Sequence, residues 1–360
     1  MPQPTERDIL DALKVVTDPD LHRDIVSLNF VKQVTVDGGR VRFVIELTTP
    51  ACPVKDQLRD QARAAVLAVS GVTEVDIEMT ANVRAASGAE TGRAQIPGIK
   101  NVVAVGAGKG GVGKTTLAVN LAVALARFGG RVGMIDGDIY GPNVPIMLGL
   151  TAQLTTQANK IVPAERHGVQ VVSMGFLTDA AAPVIWRGPM LHGVIQQFFR
   201  DVAWGELDYL IVDLPPGTGD VALSLSQTVP VAGAVVVTTP QVVSLADTRR
   251  AIAMYEKLQI PALGLIENMS YFVCPSCQHE SDIFGKGGAE QVAHELGLPF
   301  LARIPMYEPI RVGGDAGTPL VVSEPDSVAG QAIARAAEQI AAQLSIASYK
   351  RPTILPVASV

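Results

Sequence analysis

The chain has 360 residues, 48 % of them hydrophobic and 34 of them glycine, so it can bury large cores and its length allows two or three domains. Its 29 Lys and Arg against 35 Asp and Glu give a net charge of −6, which supplies no electrostatic footprint for a nucleic-acid partner. Three cysteines, an odd number, argue against a disulfide framework and for thiol or metal chemistry in a reducing compartment.

The N-terminus is polar and lacks the apolar core of a signal peptide. No uninterrupted apolar run is long enough to span a bilayer, so a cytoplasmic protein with no membrane partner is expected. Residues 1–80 read as a small α+β domain. Ile9, Leu10, Leu13 and Val16 fall at helical spacing, 31–36 and 41–47 alternate like strands around Asp37-Gly38-Gly39, and 53–69 reads as a second helix. Cys52 directly precedes Pro53, a residue favoured at the first helical position. That would place its sulfur at a helix N-terminus, where the dipole lowers a thiol pKa; a reactive thiolate and an inert core cysteine both fit. Residues 81–100, rich in Ala, Gly, Arg, Ser and Thr without an apolar period, read as a linker.

A domain over 101–345 follows, then a tail over 346–360. The apolar run 102–105 leads into Gly106-Ala107-Gly108-Lys109-Gly110-Gly111-Val112-Gly113-Lys114-Thr115-Thr116, which contains G-x-x-x-x-G-K-[ST]. Leu117, Leu121, Leu125 and Phe128 then continue at helical spacing, so the motif has its required strand, loop and helix. Gly108, Gly110, Gly111 and Gly113 let backbone N–H groups turn inward on a polyphosphate, and the helix N-terminus adds its positive dipole end. Lys114 would reach the β- and γ-phosphates and the Thr115 hydroxyl would ligate Mg²⁺. Val112 and Thr116 complete the cradle. Lys109, a second lysine inside the loop, would leave it from the outer edge and serve the phosphates of a partner subunit, as an arginine finger does.

Further apolar segments at 131–136, 169–174, 209–213, 233–239 and 262–269 alternate with helical stretches. They predict an α/β fold with a mostly parallel sheet covered by helices on both faces. Ligands in such folds bind at the carboxyl ends of the strands, where Gly106, Asp136, Asp213, Thr239 and Asn268 fall. Asp213 would hold Mg²⁺, and Asp136 and Asp138 would orient the attacking water; a carboxylate at a strand end also serves as a helix cap or turn residue. Phe176, Trp186, Phe198, Phe199 and Trp204 read mostly as core or dimer-face residues, with Arg187 a candidate partner contact. Cys274-Pro275-Ser276-Cys277 can point two thiolates at one metal. A [4Fe–4S] cluster wants four such ligands, so one chain supplies half a site and a two-fold dimer would complete it; zinc in the same dimeric site competes. The tail from Ser348 has two prolines and no amphipathic period, which speaks against a terminal membrane anchor.

The loop around Lys109 and Lys114 resembles the deviant Walker A of the MinD/ParA/NifH class of P-loop NTPases. The segment from Asp136 to Pro145 resembles its switch I, and the run from Leu210 to Asp220 its Walker B and switch II. Glu267-Asn268-Met269-Ser270 through Cys277 is similar to the signature of the Mrp/ApbC branch. Asp18-Pro19-Asp20-Leu21 and Thr48-Thr49-Pro50-Ala51-Cys52-Pro53 resemble the SufT-like iron–sulfur assembly domain. The resemblance implies a homodimeric ATPase using Mg²⁺, with Asn268 reading adenine, which carries a labile [4Fe–4S] cluster on Cys274 and Cys277. It further implies cluster assembly scaffolds and apo iron–sulfur proteins as partners. Two alternatives stand beside it: a ParA/MinD-like positioning switch without a metal, and a reductase partner resembling the nitrogenase iron protein.

Overall fold

A computed structural model describes residues 4–85, 96–138, 141–151, 154–176, 188–217 and 220–350. The chain divides into two compact units, residues 1–84 with 345–360, and residues 85–344.

In the first unit the helix Glu6–Leu13 opens with a capping box, in which Thr5 and Asp8 satisfy each other's backbone N–H groups. Val31–Asp37 and Arg40–Leu47 pair antiparallel around Gly38 (φ +60°), and Glu74–Ala81 joins parallel to the second of them. The required crossover is the helix Lys55–Leu67. Ile9, Leu13, Phe30, Phe43, Ile45, Leu58 and Val66 form the core.

Two local expectations change. The helix begins at Lys55 with Val54 as its N-cap, so Pro53 lies in the preceding turn and Cys52 stands two residues ahead of the cap, its carbonyl accepting the Lys55 N–H at 3.3 Å. Half-buried, Cys52 packs against this unit's core. The last helix, Val328–Lys350, also runs into the region read as an aperiodic tail. Its alanine-rich body has high helical propensity, and Pro352 disfavours a helix only from the preceding residue onward. Ser345 donates to the Thr48 hydroxyl at 2.7 Å, and Tyr349 meets Phe30 edge-on and lies 4.2 Å from the Arg84 guanidinium. Residues 351–360 lie outside the described residues.

The second unit is built on an eight-stranded sheet. From edge to edge its strands are Ala164–Arg166, Val169–Ser173, Val132–Asp136, Leu207–Asp213, Ile99–Gly106, Gly233–Thr238, Ala262–Glu267 and Phe300–Arg303. All pair parallel except the first, a three-residue antiparallel edge. The central strands are buried except at the half-buried Lys100, as apolar runs covered on both faces should be. Phe198, Phe199 and Trp204 lie in this core, and the Trp204 indole N–H donates to the Phe198 carbonyl at 2.8 Å. Trp186 and Arg187 lie outside the described residues. Register places Asp213 opposite Asp136 on one side and Val105 on the other, and Ser173 opposite Asp136, so the chemistry-bearing residues share one end of the sheet. Among the described residues no helix is long and apolar enough to cross a membrane.

Candidate nucleotide and cysteine sites

Gly106 ends its strand and the loop turns through residues 107–113 into the helix Lys114–Arg127, whose N-cap is Gly113. Gly113 has φ +80°, and a Cβ there would fall 2.3 Å from the Asn268 side-chain nitrogen, so both conformation and space demand glycine. A Cβ at Gly108 would strike the Asp247 backbone at 2.4 Å, so the loop lies tight against the helix Val242–Lys257.

Lys114 and Asp213 are buried together, with Lys114 Nζ 2.5 Å from Asp213 Oδ1. The Thr115 hydroxyl donates to Asp213 Oδ2 at 2.7 Å. Burial pushes the Asp213 carboxyl up, and the Lys114 ammonium and Thr115 hydroxyl draw it back. A hydroxyl and a carboxylate so close are a hard-oxygen pair of the kind Mg²⁺ takes, with water and phosphate filling its remaining positions.

Asp136 is buried to 1 % exposure. Its Oδ2 accepts from the Ser173 hydroxyl at 2.9 Å and the Val144 N–H at 3.3 Å, and its Oδ1 from the Asp138 N–H at 3.2 Å. Burial and the neighbouring Asp213 push its carboxyl up to about 7. Its oxygens thus anchor the segment after the strand, and the half-buried Asp138 is the more open of the two carboxylates. Residues 139–140 lie outside the described residues. Across the site, the Gly217 N–H donates to the Ala107 carbonyl at 3.0 Å, fastening the segment after Asp213 to the loop. Lys109 is half-buried and, among the described residues, makes no ion pair.

Asn268 Nδ2 donates to the Val112 carbonyl at 2.9 Å, and the Asn268 N–H donates to the Thr238 carbonyl. Beside this contact lies a cleft of about 460 Å³ lined by Gly113, Thr116, Asn268, Met269, Pro305 and Met306, with Arg311 among its polar groups. Its apolar walls and few polar groups next to a phosphate-type loop suit a nucleobase.

Cys274 and Cys277 sit on a short antiparallel hairpin, Phe272–Val273 with Glu280–Ser281. The Cys274 N–H donates to the His279 carbonyl, and the Gln278 N–H closes the turn on the Cys274 carbonyl at 2.9 Å. The N–H groups of Cys277 and Ser276 point at the Cys274 sulfur and hold its thiol below the ordinary range. Cys274 is half-buried and Cys277 exposed. Among the described residues no group of three or more His, Cys, Asp or Glu is arranged to hold a metal ion.

Several residues that build the site were given no role from the sequence, although Glu267 falls in the quoted signature. Ser173, Thr238 and Glu267 are each the last residue of an apolar strand, and each is fully buried. Thr238 joins the Ser244 and Thr248 hydroxyls at 2.9 and 2.8 Å. A polar residue closing an apolar strand was the available signal, since burial there requires a hydrogen-bond partner.

A glycine-cradled helix N-terminus with a buried Lys–Asp pair, at the carboxyl edge of a parallel sheet, defines a P-loop NTPase. Residues 98–341 match the family described as NUBPL iron-transfer P-loop NTPase, and residues 6–77 match the family described as iron-sulfur cluster assembly protein. The iron-sulfur cluster carrier protein of Deinococcus radiodurans is 51 % identical over 97 % of this chain and 99 % of its own. The corresponding protein of Synechocystis is 47 % identical over 94 % of this chain and 98 % of its own. Among solved structures, a nucleotide-binding protein from Archaeoglobus fulgidus in complex with ADP superposes with a TM-score of 0.57 at 37 % identity, covering 65 % of this chain and 91 % of that one. The cell division ATPase MinD of Pyrococcus furiosus gives a TM-score of 0.52 at 27 % identity, over 67 % of this chain and 98 % of that one. The chain belongs to the NUBPL iron-transfer P-loop NTPase family and is an ATPase of the MinD/ParA-like fold.

Proposed function

We propose that this protein is a cytoplasmic, homodimeric ATPase that carries a [4Fe–4S] cluster between its subunits and delivers it to apo-proteins, receiving it from assembly scaffolds. The carrier names of relatives that match nearly end to end support the cargo. The observation that carries the reading is the cysteine turn itself: two thiols on one hairpin, one of them exposed, with no third ligand arranged beside them among the described residues. Four-coordinate metal chemistry on such a turn needs ligands beyond those the described residues bring to it, and a second copy would supply two more thiolates.

At the nucleotide site, backbone N–H groups of residues 108–116 would cradle the phosphates, with Lys114 on the β- and γ-oxygens. Nucleotide and Mg²⁺ would share the partners that Lys114, Thr115 and Asp213 now give one another. Mg²⁺, when bound, supplies charge neutralisation of the leaving phosphate. Asp138, on the segment anchored by Asp136, would orient the attacking water, Asn268 would meet adenine, and Lys109 would reach across to the partner's phosphates.

The test is transfer. Protein reconstituted with iron and sulfide under anaerobic conditions should activate an apo-protein that needs a [4Fe–4S] cluster, and Lys109→Ala should reduce both hydrolysis and transfer. Protein that stays colourless, binding zinc or no metal while hydrolysing ATP normally, would overturn the proposal.

A further inference from the structure

One buried carboxylate closes both ends of the segment that bears the cysteines. Glu267 ends the strand Ala262–Glu267 and is wholly buried. Its Oε1 accepts from the Ser270 hydroxyl at 2.6 Å and the Gly287 N–H at 3.0 Å. Its Oε2 accepts from the Ala289 N–H at 2.7 Å, at the start of the helix Gly288–Glu295. Ser270 immediately precedes residues 271–286 and Gly287 immediately follows them, and between the two lies the hairpin with Cys274 and Cys277. The segment is also tied within itself. Lys286 pairs with Glu280 and stands 5.8 Å from the centre of the Tyr271 ring.

On its other side Glu267 is one peptide bond from Asn268, which touches the phosphate loop through the Val112 carbonyl and leaves no room for a Cβ on Gly113. A buried carboxylate with three donors is costly to leave partly satisfied, so its neighbours move with it rather than away from it. A displacement of the turn at Asn268 is therefore passed through one oxygen to Ser270 and Gly287 together. A hairpin held at both ends by one group would shift as a body instead of bending at one end.

We infer that Glu267 is a positioning residue that couples nucleotide occupancy of the phosphate loop to the geometry and accessibility of the Cys274–Cys277 turn. The coupling rests on the proposed role of Asn268 against the nucleotide base, and it requires no bound cluster.

The readout is the alkylation rate of Cys274 and Cys277 in the cluster-free full chain, followed by iodoacetamide labelling and mass spectrometry. Rates are taken without nucleotide and with Mg-ATP at concentrations that saturate each variant by titration. In the wild type, nucleotide changes the rate by about fivefold or more. Glu267→Gln sets an amide NH₂ against the N–H donors of Gly287 or Ala289, and Ser270→Ala removes the hydroxyl's tie to Glu267 while the Ser270 N–H stays on the Ile304 carbonyl. Both should bring the ratio of rates close to one while nucleotide still binds. If Glu267→Gln does not fold, Ser270→Ala decides the question, because it leaves the carboxylate's other two partners in place. A wild-type ratio retained in the folded variants, or no nucleotide effect in the wild type, overturns the inference. Iron and sulfide uptake by the same preparations separates this result from the carrier reading: a chain that takes up no cluster but keeps the ratio sinks the carrier and leaves the coupling standing.

Discussion

The nucleotide end of the sheet and the cysteine hairpin place their polar atoms under opposite conditions. At the sheet, Lys114, Asp136 and Asp213 are buried, and each is satisfied by neighbours from the same chain. At the hairpin the thiols are half-buried and exposed, and the hydrogen bonds of the turn shape the backbone and reach the Cys274 sulfur without enclosing it. A buried charge must bring its partner with it, because an unpaired one is too costly in a low dielectric. An exposed thiolate can wait for a ligand from outside, and a cargo site must release as well as bind. The contrast separates a pocket whose buried charges are paired within one chain from a docking point whose ligands are not.

That contrast can be attacked from its strong side first. Asp213→Asn should cut ATP hydrolysis by at least ~10²-fold, since it removes charge aimed at the reacting phosphate and its metal. It should also destabilise the large unit by about 3 kcal/mol by leaving Lys114 buried without its counter-ion, seen as a lower melting temperature. Cluster uptake on Cys274 and Cys277 should survive at temperatures where the variant is folded, and its loss there would show that loading, and not only the accessibility of the turn, depends on the nucleotide site.

Lys109→Ala should lower hydrolysis by about tenfold or more, in the manner of a lost trans-acting cation, without moving the melting temperature, because Lys109 makes no ion pair among the described residues. Unchanged turnover would remove the trans-acting lysine. Gly113→Ala forces a left-handed residue and a contact with Asn268, a cost of about 1–3 kcal/mol that should appear as roughly tenfold or greater weakening of nucleotide binding. Normal affinity, measured by calorimetry, would contradict the observed packing.

The smallest effect lies at the other end of the Asp213 strand. Asp208 pairs with Lys100 and Arg131 at 2.9 Å each; burial alone would raise its carboxyl, yet the two cations hold it at about 2, below the ordinary 3.8. A depressed carboxyl stabilises the fold above its unfolded pKa and loses that contribution as pH falls from near 4 through 2. Asp208→Asn should therefore lower the melting temperature modestly at pH 7, and the gap from wild type should close as the pH falls through that window. A gap that stays constant down to pH 2 would assign the effect to something other than charge.

The nucleotide site was largely legible in the sequence because its signals are local. The glycines of the loop, Lys114, Thr115 and the acids closing apolar runs each announce themselves within a few residues. The hidden parts depend on partners far along the chain. Glu267 falls in a quoted signature but has no assignable role until residues 287 and 289 arrive at its oxygens, and Ser173 has none until Asp136 lies beside it. The edge strands Ala164–Arg166 and Phe300–Arg303 are too short to show a period, and pairing to a neighbour rather than propensity makes them strands. The start of the helix at Lys55 escaped because Pro53 suits a turn as well as a first helical position.

The most direct test of the incomplete half-site is the mass and composition of anaerobically reconstituted protein, by native mass spectrometry with iron and sulfide analysis. The account predicts a dimer with about four iron and four sulfide, and a Cys274→Ala/Cys277→Ala variant that takes up neither while hydrolysing ATP near the wild-type rate. A cluster retained on a single chain, or retained by the double variant, would contradict it.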